Sequence, residues 1–235
     1  MTTRKKALPQ LAGLNSESLD MAENFVYNTE PVRLAREAAV ESGAPVPSNG
    51  ACALLTFLAK ALDAKMVVEI GTGPGVSGLA LLAGMAPDVV LTSIDIDADW
   101  QIGARQAFTA AGWPAQHFRL IAGAPLEVLP RLRDAAYDIV FVNGDKLEYV
   151  EYITQAARLL RPGGVLIVND VLWANKVAEP RNEEDETVII REALQAVELD
   201  ESFTALIIPL GDGVLTAVRD GGSVSRDSGS AGQKV

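Results

Sequence analysis

The sequence holds a single cysteine, Cys52, and a single histidine, His117. One cysteine excludes an intramolecular disulfide and any cysteine-based zinc cluster. One histidine excludes catalysis by a histidine pair and leaves a zinc hydrolase without its usual ligands. Nowhere do ~20 apolar residues run uninterrupted, the length that a membrane-spanning helix needs. The basic start Met1-Thr2-Thr3-Arg4-Lys5-Lys6 leads into Ala7-Leu8-Pro9-Gln10-Leu11, too short and broken for a signal-peptide core, so cytoplasmic residence is the expectation. Positive charge is scarce too: 20 Lys and Arg against 31 Asp and Glu give a formal net charge of −11. That sign argues against broad nucleic-acid binding, which needs a cationic surface, and leaves room only for a local basic patch.

Apolar residues, by contrast, are plentiful. They make up 49% of 235 residues, enough for one substantial core in one α/β domain. The first ~60 residues read as helices, with Ser16 as a cap, Pro31 in a first turn and a proline-rich loop over 43–50. From residue 65 onward apolar segments at 66–70, 89–95, 118–122, 137–143 and 164–169 alternate with helical patterns at 76–85, 99–112, 125–133 and 148–161. Such alternation predicts right-handed crossovers and a parallel sheet covered on both faces. The end differs: Ser202–Leu210 and Val214–Val218 flank Gly211-Asp212-Gly213, the signal of an antiparallel hairpin. The expectation is a Rossmann-like, doubly wound, seven-stranded sheet over 63–220 with N-terminal helices over 15–62. A flexible start over 1–14 and a disordered Gly/Ser-rich tail over 221–235 complete it.

The most telling stretch is Met66-Val67-Val68-Glu69-Ile70-Gly71-Thr72-Gly73-Pro74-Gly75-Val76-Ser77-Gly78. A β-branched run predicts a buried strand and the glycines a turn where backbone approaches a ligand, yet Glu69 puts a carboxylate inside the strand. Gly73–Gly78 matches G-x-G-x-x-G, and Asp95 lies twenty residues past Gly75, as in a dinucleotide enzyme. But a buried Glu69 would repel a pyrophosphate. One acid before the glycines and another after the second strand suit a ligand with a cationic end and a ribose end, as in S-adenosylmethionine. A dinucleotide site and a purely structural glycine turn stay open on these residues alone. Asp95 is placed to accept ribose hydroxyls, with Asp97 or Asp99 capping the next helix. Gly123-Ala124-Pro125 offers backbone to an adenine. Phe141-Val142-Asn143-Gly144-Asp145-Lys146 and Ile167-Val168-Asn169-Asp170-Val171-Leu172-Trp173 end the fourth and fifth strands, so their polar residues should converge on one cleft.

In order and spacing these blocks, with Leu159-Leu160-Arg161-Pro162-Gly163-Gly164 and Pro209-Leu210-Gly211-Asp212-Gly213, make the chain resemble the class I, catechol-type O-methyltransferases, bacterial family 3 included, over roughly 15–220. The resemblance implies an adenosylmethionine-dependent O-methyltransferase acting on a hydroxyl of a small acceptor, aromatic ones included, and a homodimer. Within the same family it also allows a hydroxylated tRNA base as acceptor, which the acidic balance disfavours, or a non-catalytic cofactor-binding homologue. It implies that Glu69, Gly71, Thr72, Ser77, Asp95 and Asn143 contact the cofactor, with Ile96 and Ala124 around adenine and Val46 near the methionine end. Lys146 matches the base, and Trp173 with the loop 174–180 would wall the acceptor. Metal-dependent members place carboxylates where this chain has Asn143 and Asn169. The corresponding ligands here would be Asn143, Asn169 and Asp170, with one formal charge where the family has two. The expectation is that Mg2+ or another divalent ion binds weakly or not at all. Asp145 beside Lys146 should hold its amine charged, against the effect of burial.

Overall fold

The computed structural model describes Gly13 and residues 15–221. The expected flexible start and tail therefore lie outside the described residues, apart from Gly13 and Gly221. Three helices lead: α1 (Ser16–Glu23), α2 (Glu30–Ser42) and α3 (Asn49–Ala61). Asn15, rather than Ser16, caps α1, its side chain accepting from Ser18 N. Proline opens α2 as expected, because its missing N–H costs nothing in a first turn.

The core follows as β1 (Met66–Ile70), α4 (Val76–Gly84), β2 (Val90–Asp95), α5 (Ala98–Ala110), β3 (Phe118–Ala122), α6 (Pro125–Val128), β4 (Tyr137–Val142), α7 (Tyr149–Leu159), β5 (Leu160–Val168), α8 (Asp185–Leu199), β6 (Phe203–Ile208) and β7 (Val214–Arg219). The sheet order is β3-β2-β1-β4-β5-β7-β6. Only the β7 pairings are antiparallel, with β5 on one side and β6 on the other. The helix expected over 125–133 stops at Val128 and tightens into a 3-10 turn over Leu129–Arg131, with Pro130 in that turn. Helix α8 was not expected at all.

Side chains on the strands alternate between two cores. Val67, Ile139, Phe141, Val165 and Ile167 join α3, α4 and α5 on one face. Val68, Ile70, Val140, Val142, Leu166 and Val168 join α7 and α8 on the other. This period of two sends Glu69 to the α4 side, where nearly every residue of α4 is buried. The parallel register sets Ser93 of β2 beside Glu69. Ladder bonds then run on past the strand ends: Gly71 N to Ile94 O at 2.9 Å, Asn143 N to Ile70 O at 2.8 Å and Asn169 N to Val142 O at 3.0 Å. That continuation aligns Gly71, Asn143 and Asn169 at one carboxyl-end edge, where open α/β sheets place their ligands.

Candidate functional site

At this edge lies a cavity of about 320 Å³, within the range of small-molecule sites. Gly71, Asp95, Ile96, Ala124 and Asn143 line it, five of the residues singled out in the sequence. Trp100, Glu148 and Tyr152 also line it and were not singled out. Pro45 lines it in place of its neighbour Val46, which packs against the core instead. Gly71 has to be glycine: its φ is +92°, and a Cβ there would sit 2.3 Å from Asn143 O. Gly75, at φ +94°, caps α4 with no side chain of its own, and a Cβ would press on Phe108 and Ala104.

Asp95 closes the turn from the far side. Its Oδ2 accepts from Gly73 N and its Oδ1 from Asp97 N, each at 2.9 Å. Each oxygen keeps a lone pair beyond these bonds, which fits a ligand bearing two hydroxyls. Asp97, as expected, caps α5 by accepting from Asp99 N and Trp100 N.

Behind the cavity wall, Glu69, Thr72 and Ser77 are buried rather than lining it. A relay of polar groups serves Glu69: Gln101 Nε2 donates to Thr72 Oγ1 at 2.8 Å, Thr72 Oγ1 meets Ser93 Oγ at 2.6 Å, and Ser93 donates to Glu69 Oε2 at 2.5 Å. Glu69 Oε1 has no partner among the described residues. Burial raises this carboxyl from 4.5 to about 7, with the Ser77 and Ser93 hydroxyls opposing the rise and Asp95 adding to it. A buried carboxylate with an unpaired oxygen fits a cationic ligand and would be costly without one.

The second cluster sits at the ends of β4 and β5. Asn169 Nδ2 donates to Asn143 Oδ1 and to Asp170 Oδ1, both at 3.0 Å. Lys146 Nζ donates to Asp170 Oδ2 at 3.2 Å and to Tyr149 OH at 2.7 Å, and Tyr149 OH donates to Asn169 O at 2.9 Å. The Trp173 ring lies 5.6 Å from Lys146 Nζ, so that tryptophan does border the cluster. Asp145 turns away: it caps the 3-10 turn of Lys146–Glu148 through Leu147 N. Burial therefore prevails at Lys146 and lowers its pKa, with Asp170, Asp212 and Asp145 pulling the other way. The donor set suits a hard divalent ion poorly. It offers two neutral amides and one carboxylate, and the Asn143 oxygen and both Asp170 oxygens already receive N–H bonds.

With this geometry in view, likeness to known proteins is decisive. A family model described as O-methyltransferase matches residues 31–220. The chain belongs to the O-methyltransferase family. A relative from Mycobacterium avium, strain 104, which bears an O-methyltransferase name, is 42% identical over 219 residues, covering 93% of this chain and 99% of its own. A crystal structure from Corynebacterium glutamicum superposes with a TM-score of 0.82 at 28% identity, over 88% of this chain and 98% of that one. The Streptomyces achromogenes O-methyltransferase TomG, solved in complex with SAM and involved in tomaymycin synthesis, gives 0.80 at 28% identity, over 88% and 97%. This methyltransferase thus has the sheet of its family, and the dinucleotide reading of its glycine turn falls away.

Proposed function

We propose that this methyltransferase uses S-adenosylmethionine, held at the carboxyl ends of β1, β2 and β4, to methylate a hydroxyl of a small acceptor. The supporting observation is the pairing of two acids around one glycine turn: Asp95 on the cavity wall, and Glu69 behind it with an unpaired oxygen. Asp95 receives the ribose hydroxyls, and Ile96, Trp100, Ala124 and Tyr152 enclose the adenine. Glu69, with Thr72 and Ser77, supplies negative charge toward the ammonium and sulfonium end, and Gly71 and Asn143 provide backbone and amide contacts. Val46 shapes the methionine end from behind Pro45.

When bound, the sulfonium supplies a methyl group by in-line displacement: a C–O bond forms as the C–S bond breaks, and its electron pair stays on sulfur. The chain's own contribution is largely alignment, which accounts for much of the rate in such reactions. Lys146, its amine made less basic by burial and held in place by Tyr149 OH, gives up a proton to solvent and then takes the acceptor proton on Nζ. Asp170 pairs with its ammonium form before and after the transfer. Trp173 and the loop after it wall the acceptor.

Calorimetric titration with S-adenosylhomocysteine should give a saturable heat, and methyl transfer to a panel of hydroxylated compounds should follow. No heat with the product cofactor overturns this reading. Cytoplasmic residence and a homodimer belong to the same proposal; no helix among the described residues is long and apolar enough to cross a membrane. The exposed Phe25, Tyr27 and Phe57 on and beside the N-terminal helices support the dimer, which sedimentation would register as a doubled mass.

A further inference from the structure

At the ends of β4 and β5, hydrogen bonds occupy Asn143 Oδ1 and both Asp170 oxygens, and of the three expected ligands only the neutral Asn169 Oδ1 receives none. Both hydrogens of the Asn169 amide are used, one on Asn143 Oδ1 and one on Asp170 Oδ1. The opposite amide orientation would set an oxygen against two oxygens at 3.0 Å, so the nitrogen belongs there. The other Asp170 oxygen takes the Lys146 ammonium, and Tyr149, anchored on the Asn169 backbone carbonyl, steadies it from below. Tyr149 is fully buried and Asn169 nearly so, so this arrangement is fixed by packing rather than by solvent. Among the three expected ligands charge balances as well: the single carboxylate, Asp170, meets the Lys146 ammonium.

We infer that the Lys146 ammonium stands where other members of the family hold a divalent cation, so that the transferase is metal-independent and takes its acceptor through a single hydroxyl. The inference rests on the methyltransferase reading above. A divalent ion can chelate two neighbouring oxygens at once, which favours a vicinal diol. Lys146 already spends donors on Asp170 and Tyr149, and has one direction left for an acceptor oxygen. The flat side of that direction is the Trp173 ring, which suits an aromatic or otherwise planar acceptor. The acceptor class is then a molecule with one hydroxyl on a planar frame, for which a second, adjacent hydroxyl adds little.

The test uses the full chain stripped with EDTA, with terbium as the probe because Trp173 would sensitise its emission. The wild-type protein should show no saturable terbium emission, and magnesium should change neither S-adenosylhomocysteine affinity nor turnover. The Asn143→Asp, Asn169→Asp variant should gain saturable emission that magnesium competes away; its circular dichroism and cooperative urea unfolding show that it is folded. Saturable emission from the wild type, or turnover abolished by EDTA and restored by magnesium, overturns the inference. So does a double variant that binds terbium no better than the wild type. On the acceptor side, a phenol and its vicinal-diol analogue should differ by less than about threefold in kcat/KM, and a diol preference beyond about tenfold contradicts the single-hydroxyl claim. If S-adenosylhomocysteine fails to bind at all, the methyltransferase reading fails, while the terbium measurements still decide the metal question.

Discussion

Two carboxylates lie inside the same sheet at its opposite ends, and their surroundings differ in kind. Asp138, near the start of β4, accepts from Lys65 N at 2.7 Å and Met66 N at 2.8 Å through one oxygen, and from Arg161 Nε at 2.6 Å through the other. Its charge is answered entirely by the protein, and it ties the start of β1 to β4 and β5. Glu69, at the carboxyl end of β1, accepts a full hydrogen bond only from Ser93 on one oxygen; the Ser77 hydroxyl acts on the carboxyl without completing such a bond, and Oε1 has no hydrogen-bond partner among the described residues. A buried charge that is answered internally holds a fold together, whereas one left half-answered stores a demand for a ligand.

Replacing Glu69 is the severest test of this contrast. Glu69→Gln should weaken S-adenosylhomocysteine binding, measured by calorimetry well above neutral pH, on the order of 100-fold or more, since the ligand's ammonium loses its charged partner. Unchanged affinity would break the comparison at its root.

The pH dependence comes next. The folded-state pKa of Glu69 lies above its unfolded value, 4.5 against about 7, so the native ligand-free state holds the extra proton between them. Its contribution to stability is complete below pH 4.5 and is lost as pH rises through about 7, a change of about 3 kcal/mol. Urea unfolding of wild type against Glu69→Gln should show that difference opening across this window, with the variant the more stable above it. Cofactor affinity should run the other way, rising with pH as the carboxyl ionises.

Asp138→Asn should cost about 2 kcal/mol of stability by urea unfolding, because the amide oxygen can keep the two backbone donors while Arg161 loses its charged acceptor to an amide N–H. Cofactor affinity should stay as in the wild type; a parallel loss of both would erase the distinction between the two acids. Smallest of all, Gln101→Leu should remove only the far end of the Glu69 relay. A loss of severalfold in cofactor affinity is expected, on the order of 1 kcal/mol, with little change in stability. A loss as large as that of Glu69→Gln would mean that the relay, and not the carboxylate, is what the ligand needs.

Much of this architecture is legible in the chain because strands buried on both faces read as short apolar runs between helical patterns. The run over 66–70, with Glu69 inside it and Gly71 just after, stands out for that reason. Helix α8 was hidden because Glu183, Glu184, Asp185 and Glu186 crowd its start and a narrow stripe of Thr187, Ile190, Ala193 and Val197 is all it fully buries. The cavity residues Trp100, Glu148 and Tyr152 were missed for another reason. They come from the sides of helices or turns, and nothing local in their sequence reveals that they face a common space. Asp145 does pull the Lys146 pKa upward as adjacency suggests, though less than burial lowers it, while the ion pair itself goes to Asp170, twenty-four residues on at the end of the neighbouring strand.

Asp212 sits in the turn between β6 and β7, and both its carboxylate oxygens accept from Ala174 N, while its carbonyl accepts from Leu172 N. Trp173, Ala174 and Asn175 hold successive left-handed conformations beneath that clamp, at φ +47°, +52° and +67°. The wall proposed for the acceptor is therefore moulded by the terminal antiparallel hairpin, while the parallel strands mould the nucleotide end. A change in the hairpin turn would therefore reshape the backbone at Trp173 and leave the glycine turn after β1, which Asp95 holds, as it stands.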